Sequence, residues 1–442
     1  MSTLITTGAT DRSRLDSGRP ASEEEKPAIT KTAVAAAIAG NALEFYDFVI
    51  YAFFAVYIGK TFFPAGNEAA SLLASVAVFG VGFFTRPLGG VVIGAFADKV
   101  GRKPAMILTV ALITIGTLGL AATPGYASIG MAAPIIVLVC RLLQGLAIGG
   151  EVGPSTSLLV EAAPSDKRGL YASWQIASQG IAVLVGGLCG VLVSASLSEA
   201  QLADWGWRIP FLVSLLLIPI AVYMRRKLPE THEGASERSG AEIVSTVVSQ
   251  YRRYLILGVL VMLAGSVSTQ VGNYMTTYAI HTLKLPAVLA QTGTLVGGLT
   301  TFIFALVAGA LSDRFGRKML MIWPRVALTA LIVPLFMLLD SSPNAATLIC
   351  VTSAITLLTA MSGAASLVAI PELMPTAFRS TGTSLIYAIG ATLFGGSTQF
   401  IITWLIGILG PLAPAYYVMI TGIITLWAMW MLPETRNVDV SK

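Results

Sequence analysis

Gly94-Ala95-Phe96-Ala97-Asp98-Lys99-Val100-Gly101-Arg102-Lys103 recurs 215 residues later as Gly309-Ala310-Leu311-Ser312-Asp313-Arg314-Phe315-Gly316-Arg317-Lys318. Two further pairs follow in the same order. Glu161 and Arg168 return as Glu372 and Arg379, offset by 211, and Leu228-Pro229-Glu230-Thr231 returns as Leu432-Pro433-Glu434-Thr435, offset by 204. Three motifs in one order at similar offsets point to an internal duplication, so the chain reads as two similar halves.

Composition says what the halves are made of. Of 442 residues, 55% are hydrophobic and 12% charged, against about a quarter charged in a soluble domain. Apolar runs recur from Lys31 to Leu432, each roughly 20 residues and long enough to cross a hydrocarbon layer of about 30 Å. They are rich in glycine and lack the two-residue alternation of barrel strands, so they read as helices. Twelve are expected, over 33–62, 70–97, 103–123, 130–160, 169–196, 207–225, 252–282, 288–311, 318–339, 344–371, 380–408 and 411–431. The expected class is an all-α membrane protein of twelve transmembrane helices in two pseudo-symmetric six-helix bundles, over 33–225 and 252–431. A parallel repeat of this kind relates its bundles by an axis along the membrane normal and puts a solute site between them near mid-bilayer.

The basic residues give a topology. Lys99, Arg102 and Lys103, then Arg225, Arg226 and Lys227, then Arg252 and Arg253, then Arg314, Arg317 and Lys318 all fall on one side, whereas only Lys60 and Lys284 fall clearly in loops of the other. Positive charge marks the cytoplasmic side, which places both termini in the cytoplasm. The net charge of +5 is then a topology signal and not a nucleic-acid face. Residues 1–32, with Glu23, Glu24 and Glu25 in a row and no apolar core, read as a disordered cytoplasmic tail and not a signal peptide. Residues 226–251 read as a cytoplasmic linker and 432–442 as a second tail. Cys140, Cys189 and Cys350 all lie in apolar runs and read as small buried hydrophobes.

In the ten-residue repeat, Gly94 and Gly309 allow close helix approach. Asp98 and Asp313 end helices, where the dipole disfavours a carboxylate, so each needs a cationic partner, with Arg102 and Arg317 in reach. Glu161 with Arg168, and Glu372 with Arg379, can extend such networks across the gap between halves. Ordinary topology charge is the competing account. This motif resembles the loop motif of the major facilitator superfamily, and the twelve-helix reading carries the resemblance over nearly the whole chain. It implies that these networks latch the outward-open state.

Charges inside the membrane are few and costly, which makes them functional candidates. The first expected helix carries Glu44 and Asp47, the second Arg86, the fourth Arg141 and Glu151. Arg208 and Arg325 are read as lying near helix ends, from where they can snorkel. Asn41, Glu44 and Tyr51, with Asp47 and Phe48 between, share a broad helix face that should turn inward. Asp47 and Arg141 lie at similar depth, and an ion pair between them would take up a proton whenever the partner moves away or binds an anion. A static salt bridge is the alternative. Arg86 binds an anionic solute or pairs with Glu44. Glu151 is a second proton site or the partner of a basic latch residue. Gln175, Ser178 and Gln179 form one polar stripe, and Gln270, Asn273, Tyr274 and Thr277 another. These line a solute cavity or join helices by hydrogen bonds.

Within the superfamily the chain resembles the metabolite:proton symporters. The residues carrying this are Gly40-Asn41-Ala42-Leu43-Glu44-Phe45-Tyr46-Asp47-Phe48, Phe84-Thr85-Arg86-Pro87-Leu88-Gly89, Arg141-Leu142-Leu143-Gln144-Gly145, Gly149-Gly150-Glu151 and Trp205-Gly206-Trp207-Arg208-Ile209-Pro210-Phe211. Members move Krebs-cycle acids, aromatic acids, shikimate or betaines with protons. Ser173-Trp174-Gln175 and Ala177-Ser178-Gln179 resemble most the citrate and tricarballylate carriers of that family.

The expected function is proton symport of a small organic anion, a di- or tricarboxylate. Asp47, Arg141, Glu44 and Glu151 are expected to couple protons, and Asn41, Tyr51, Arg86, Arg141, Gln175, Ser178, Gln179, Gln270, Asn273 and Tyr274 to bind solute. Arginine is the natural two-pronged ligand for a carboxylate. A symporter of a zwitterion such as betaine or proline, or of another organic acid such as 2-oxoglutarate or shikimate, is the alternative. No cofactor is expected beyond the proton, no metal, no nucleic acid, and no partner but solute and lipid, in a monomer. The two histidines (His232 and His281) and the lack of a nucleotide-binding loop speak against an enzyme.

Overall fold

In the computed structural model the chain is described over residues 31–100, 102–149, 159, 163–164, 166–226, 240–375 and 379–436. Eight helices among the described residues are long and apolar enough to cross a membrane. A bent pair forms a ninth crossing, and three shorter apolar helices bring the number to the expected twelve. The first half holds α1 (Lys31–Phe53), α2 (Ala55–Phe62), α3 (Glu68–Phe84), α4 (Arg86–Val100), α5 (Arg102–Ala122), α6 (Ala132–Ile148), α7 (Arg168–Ser196) and α8 (Ile209–Arg226). Helix α9 (Gly240–Gln250) lies inside the stretch read as a linker. The second half holds α10 (Arg252–Thr277), α11 (Ala287–Phe315), α12 (Arg317–Ser341), α13 (Ala345–Glu372), α14 (Arg379–Gly390), α15 (Gly396–Leu409) and α16 (Ala413–Met431).

Two crossings depart from straight helices. The first, expected unbroken, bends by 66° between α1 and α2. No proline or glycine marks the corner. Phe53 and Phe54 there are fully buried in the first-half core, so packing sets the bend. The second crossing breaks at Thr85, just before Pro87. A proline ring removes the bond to the carbonyl four residues back, here Phe83. That carbonyl accepts instead from the Thr392 hydroxyl of the second half at 3.0 Å, so the break is satisfied across the interface.

Thr392 belongs to a π-helical turn, Ala391–Gly395, between α14 and α15. Single π turns inside α-helices often mark functional sites. The halves meet along two seams, α7 against α11 and α3 against α15. Glycines make the first seam possible. A methyl group added at Gly187 would sit 2.7 Å from the Leu295 Cα, and one at Gly309 would sit 2.6 Å from the Gly169 carbonyl.

At the end of the bundle away from the repeated motif, Thr277 donates to the Ala52 carbonyl at 3.0 Å. Exposed Glu68 there contacts Lys60 at 2.9 Å and Lys284, from the other half, at 3.8 Å. The outward faces are apolar, with Trp323, Ile423, Trp427 and Trp430 exposed, as a lipid-facing surface requires. Cys140 is buried, but Cys350 is exposed on that surface and not enclosed as its apolar context suggested. Lipid solvates a small apolar side chain as well as a core does.

Candidate solute cavity and buried acid

Helix α1 places Asp47 inside the first bundle, 3% exposed. Three side chains from three other helices donate to it. Thr117 of α5 reaches Oδ2 at 2.7 Å, Gln144 of α6 reaches Oδ2 at 2.6 Å, and Ser214 of α8 reaches Oδ1 at 3.1 Å. The hydroxyls of Thr117 and Ser214 rotate, so each can donate to a carboxylate or accept from the protonated acid. The nest therefore accommodates either state of Asp47.

The expected direct contact between Asp47 and Arg141 is replaced by a relay. Arg141 Nη1 donates to Gln144 Oε1 at 2.8 Å while the same amide donates to Asp47. One neutral side chain, a turn along α6, satisfies both charges. The Arg141 guanidinium, 1% exposed, spreads over the rings of Tyr51, Phe79 and Phe48 at 4.5, 5.1 and 5.3 Å. Such contacts strengthen when desolvated.

Phe48 is also the wall of a cavity between the halves whose empty space measures about 1260 Å³, including the part open to solvent. Across that ring stands Arg86, its guanidinium 4.8 Å from the Phe48 centre and 3.9 Å from that of Phe83. Thus Asp47, Gln144, Arg141, Phe48 and Arg86 form one continuous chain of contacts from the buried acid to the cavity. The cavity is lined by Arg86 and Gln179 from the first half and by Gln270, Asn273, Arg325 and Tyr387 from the second, among others, and by no aspartate or glutamate among the described residues.

The remaining expected solute ligands lie elsewhere. Asn41 donates to Ser178 at 2.6 Å and to the Gln175 carbonyl at 3.1 Å, and Gln175 donates back to Asn41 at 3.0 Å. These three join α1 to α7 and are absent from the cavity lining. Tyr51 donates to the Ser75 carbonyl at 3.2 Å, and Tyr274 accepts from Thr403 at 2.9 Å. Of the second polar stripe, Gln270 and Asn273 line the cavity, Gln270 accepting from Gln399 at 3.1 Å. Glu44 is buried and borders a smaller cavity with Ser214.

Arg325 was read as a helix-end residue able to snorkel, and the structure corrects this. It stands two turns into α12, about 12 Å by helical rise, is 1% exposed, and lines the cavity. Its Nη1 donates to Ser268 at 2.8 Å and to the Ala264 carbonyl at 3.3 Å. Its distance from Arg317 along the helix was the signal that a short snorkel would not suffice. Arg208, by contrast, behaves as an end residue, donating to the Asp204 and Thr123 carbonyls and covering Trp207.

The second copy of the repeated motif forms a clasp. Arg317 bonds Asp313 at 2.7 Å and Glu372 at 3.2 Å. Asp313 accepts from the backbone of Gly169 at 2.7 Å and Leu170 at 2.9 Å. It thereby crosses the seam at Gly309 and caps the first turn of α7, where the dipole favours a carboxylate. Arg168 opens that helix and is half-buried. Thr435 donates to Glu372 at 2.6 Å. Its neighbour Glu434 caps α12, accepting from the Arg317 and Lys318 backbone at 2.8 and 3.0 Å. Burial pushes the Glu434 carboxyl up, but the backbone donors of Arg317, Lys318, Arg436 and Thr435 outweigh it and hold it below the usual carboxylate range. Glu151 and Glu161 lie outside the described residues, as do the side chains of Asp98, Arg102 and Arg379 and the surroundings of Gly94.

Comparison with known proteins agrees with this architecture. Residues 37–397 match the family model of the Major Facilitator Superfamily. The citrate-proton symporter of Klebsiella pneumoniae is 36% identical over 393 residues, 88% of either chain. The alpha-ketoglutarate permease of Escherichia coli is 34% identical over 90% of this chain and 93% of that one. The proline/betaine transporter of Escherichia coli is 31% identical over 92% and 84%. A crystal structure of a D-xylose-proton symporter has the same fold, with a TM-score of 0.76 at 17% identity, covering 92% of this chain and 99% of that one. A duplicated twelve-crossing bundle around a central cavity, matched by transporters along most of its length, is not an enzyme but a multi-span membrane transporter, and the chain belongs to the major facilitator superfamily.

Proposed function

We propose that the protein takes up a small organic anion, a di- or tricarboxylate of the citrate and tricarballylate type, together with protons across a bacterial inner membrane. Both termini face the cytoplasm, the carrier works as a monomer among lipids, and the proton is its only coupling agent. One observation carries the reading. Among the described residues the cavity lining holds guanidinium charge and no carboxylate, while a carboxylate nested among reversible hydroxyl partners is joined to it through Gln144, Arg141 and Phe48. Solute and proton then occupy separate compartments, linked through Phe48.

In this account Arg86 binds solute carboxylate, with Gln179, Gln270 and Asn273 placing its other polar groups. Asp47 holds the proton, and Arg141 responds through Gln144 to what Arg86 binds. The Asp313, Arg317 and Glu372 clasp, with Gly309 and the first-half counterparts, latches one end of the bundle during alternating access. The relatives named for citrate and alpha-ketoglutarate support an acidic cargo.

A zwitterion such as betaine is the second reading, favoured by the aromatic rings at the cavity and by the proline/betaine relative. A quaternary ammonium would need free ring faces. Those of Phe48 and Phe83 already carry Arg86, which weighs against it. Uptake of labelled citrate, tricarballylate, 2-oxoglutarate and betaine into proteoliposomes, with and without an inward proton gradient, separates the readings. Gradient-driven carboxylate uptake supports symport of an anion. Betaine uptake without carboxylate uptake overturns it.

A further inference from the structure

We propose that Arg325 is a second anion-binding arm of the cavity, so that the cargo must carry at least two carboxylates, one on Arg86 of the first half and one on Arg325 of the second. This rests on the anion-transport reading and deepens it.

Arg86, Arg141 and Arg325 are 6%, 1% and 1% exposed, and the Nε of each is buried without a hydrogen-bond partner. Of the three, Arg86 and Arg325 line the cavity. A guanidinium offers five N–H donors in a planar fork. Arg325 spends only Nη1 on protein acceptors, the neutral Ser268 hydroxyl and the Ala264 carbonyl. No aspartate or glutamate forms an ion pair with it among the described residues, and none lines the cavity. A charge enclosed in this way is costly unless a counter-charge arrives. Arg317, on the same helix, shows what a structurally committed arginine looks like here, with two carboxylates in contact. Helix α13, packed against α12, adds two further cavity-lining hydroxyls, Thr352 and Thr359, that are buried without partners. The second-half wall therefore presents one charged fork and two idle hydroxyls, a set that suits a carboxylate bearing neighbouring polar groups.

Placement on opposite halves gives the pair a mechanical consequence. Like charges facing each other across a low-dielectric gap resist its closing. A polyanion reverses the sign and draws the halves together. A monocarboxylate neutralises one arm only and leaves the other unpaired, which is how buried groups reject a ligand that lacks the matching charge.

The test is binding to the full-length purified protein in detergent at neutral pH, by titration calorimetry, of tricarballylate, succinate and propionate, which carry three, two and one carboxylates. The wild type should bind tricarballylate and succinate at least about tenfold tighter than propionate. Arg325→Gln should weaken the first two by roughly 30-fold while changing propionate less than about twofold. Arg325→Lys keeps the charge and is expected to fold. Losing the fork, it should weaken tricarballylate by roughly fivefold.

Wild-type affinity for tricarballylate in both variants, with loss in Arg86→Gln, overturns the second arm and leaves anion transport standing. So does an equal loss for all three acids in Arg325→Gln, the signature of a merely structural arginine. If Arg325→Gln fails to fold, unchanged tricarballylate affinity in Arg325→Lys overturns the proposal and the fivefold loss supports it. A wild type that binds betaine and no carboxylate overturns the second arm and the anion reading together.

Discussion

Asp47 and Arg141, two of the deep charges of the first bundle, are joined through a single neutral side chain. Gln144 donates to Asp47 at 2.6 Å and accepts from Arg141 at 2.8 Å. An amide between two charges transmits position without fixing either charge, because neither is locked in a direct ion pair. A proton arriving on Asp47 weakens the bond from Gln144, which frees its hold on Arg141. The arginine lies against Phe48, whose ring also contacts Arg86. Under the proposed function this would be a physical route from protonation at Asp47 to solute affinity.

Removing the relay should uncouple these events. Gln144→Leu keeps the volume but strands Asp47 and Arg141 without their shared partner, each loss being worth about 1.5–3 kcal/mol for a bond to a charged group. Gradient-driven accumulation of citrate should fall by at least roughly tenfold, while citrate exchange across the same proteoliposomes, which needs no proton movement, changes by about threefold or less. Equal losses in both assays would assign Gln144 to folding alone.

Phe48→Leu tests the aromatic wall. Leucine fills the space but offers no ring face to Arg86 or Arg141, and such contacts are worth about 0.5–2 kcal/mol. Citrate affinity should drop by roughly 2–30-fold, with the thermal stability of the protein in detergent lowered only slightly. An unchanged affinity would show that the guanidinium of Arg86 does not depend on the ring for its position.

The clasp at the seam makes its own forecast. Asp313→Asn removes the charge that Arg317 and the α7 N-terminus both use, at a cost of about 1–3 kcal/mol. Hydrogen exchange at the Gly169 and Leu170 amides should speed up several-fold, and the melting temperature should fall. Protection at both amides equal to wild type would mean that Asp313 does not hold the seam.

Glu434 provides a pH dependence whose sign is fixed. Its carboxyl is held below the usual range in the folded protein. Its capping of α12 therefore contributes stability above the unfolded value of about 4.3, and the contribution is lost as pH falls through the lower folded value. Glu434→Gln should melt earlier than wild type at pH 7, by about 1 kcal/mol after allowing for solvent screening. The two melting curves should converge as the pH falls below the lowered folded value. A difference that persists in acid would attribute the cap to geometry and not to charge.

Much of this architecture is legible in the sequence because the membrane leaves few options. Apolar runs of spanning length must be helices, and a repeated decapeptide announces two halves. Asp313 and Arg317 could be paired by spacing, since a carboxylate at a helix C-terminus needs a cation close by. Arg86 could be placed deep by counting from Asp98. Other features turn on lateral neighbours, which depth alone does not give. Asn41, Gln175 and Ser178 occupy inward faces as expected, but an inward face serves a cavity or a helix contact equally well. Only the approach of α1 to α7 shows that they bond each other. Gln144 lies in plain sight three residues from Arg141, yet nothing in a linear pattern says that it stands between two charges. Arg325 belongs to no repeat, and its burial at the cavity depends on neighbours from other helices. The repeat of Leu432-Pro433-Glu434-Thr435 names no partner for its glutamate, and the fold supplies one in the N-terminus of α12.

The central claim is that anion entry carries a proton held at Asp47. It is tested most directly by trapping a pH-sensitive dye inside proteoliposomes and adding citrate outside with no imposed gradient. The wild type should acidify the lumen as citrate enters, and Asp47→Asn should admit labelled citrate by exchange with no acidification. Citrate entry without acidification in the wild type, or wild-type acidification by Asp47→Asn, would contradict it.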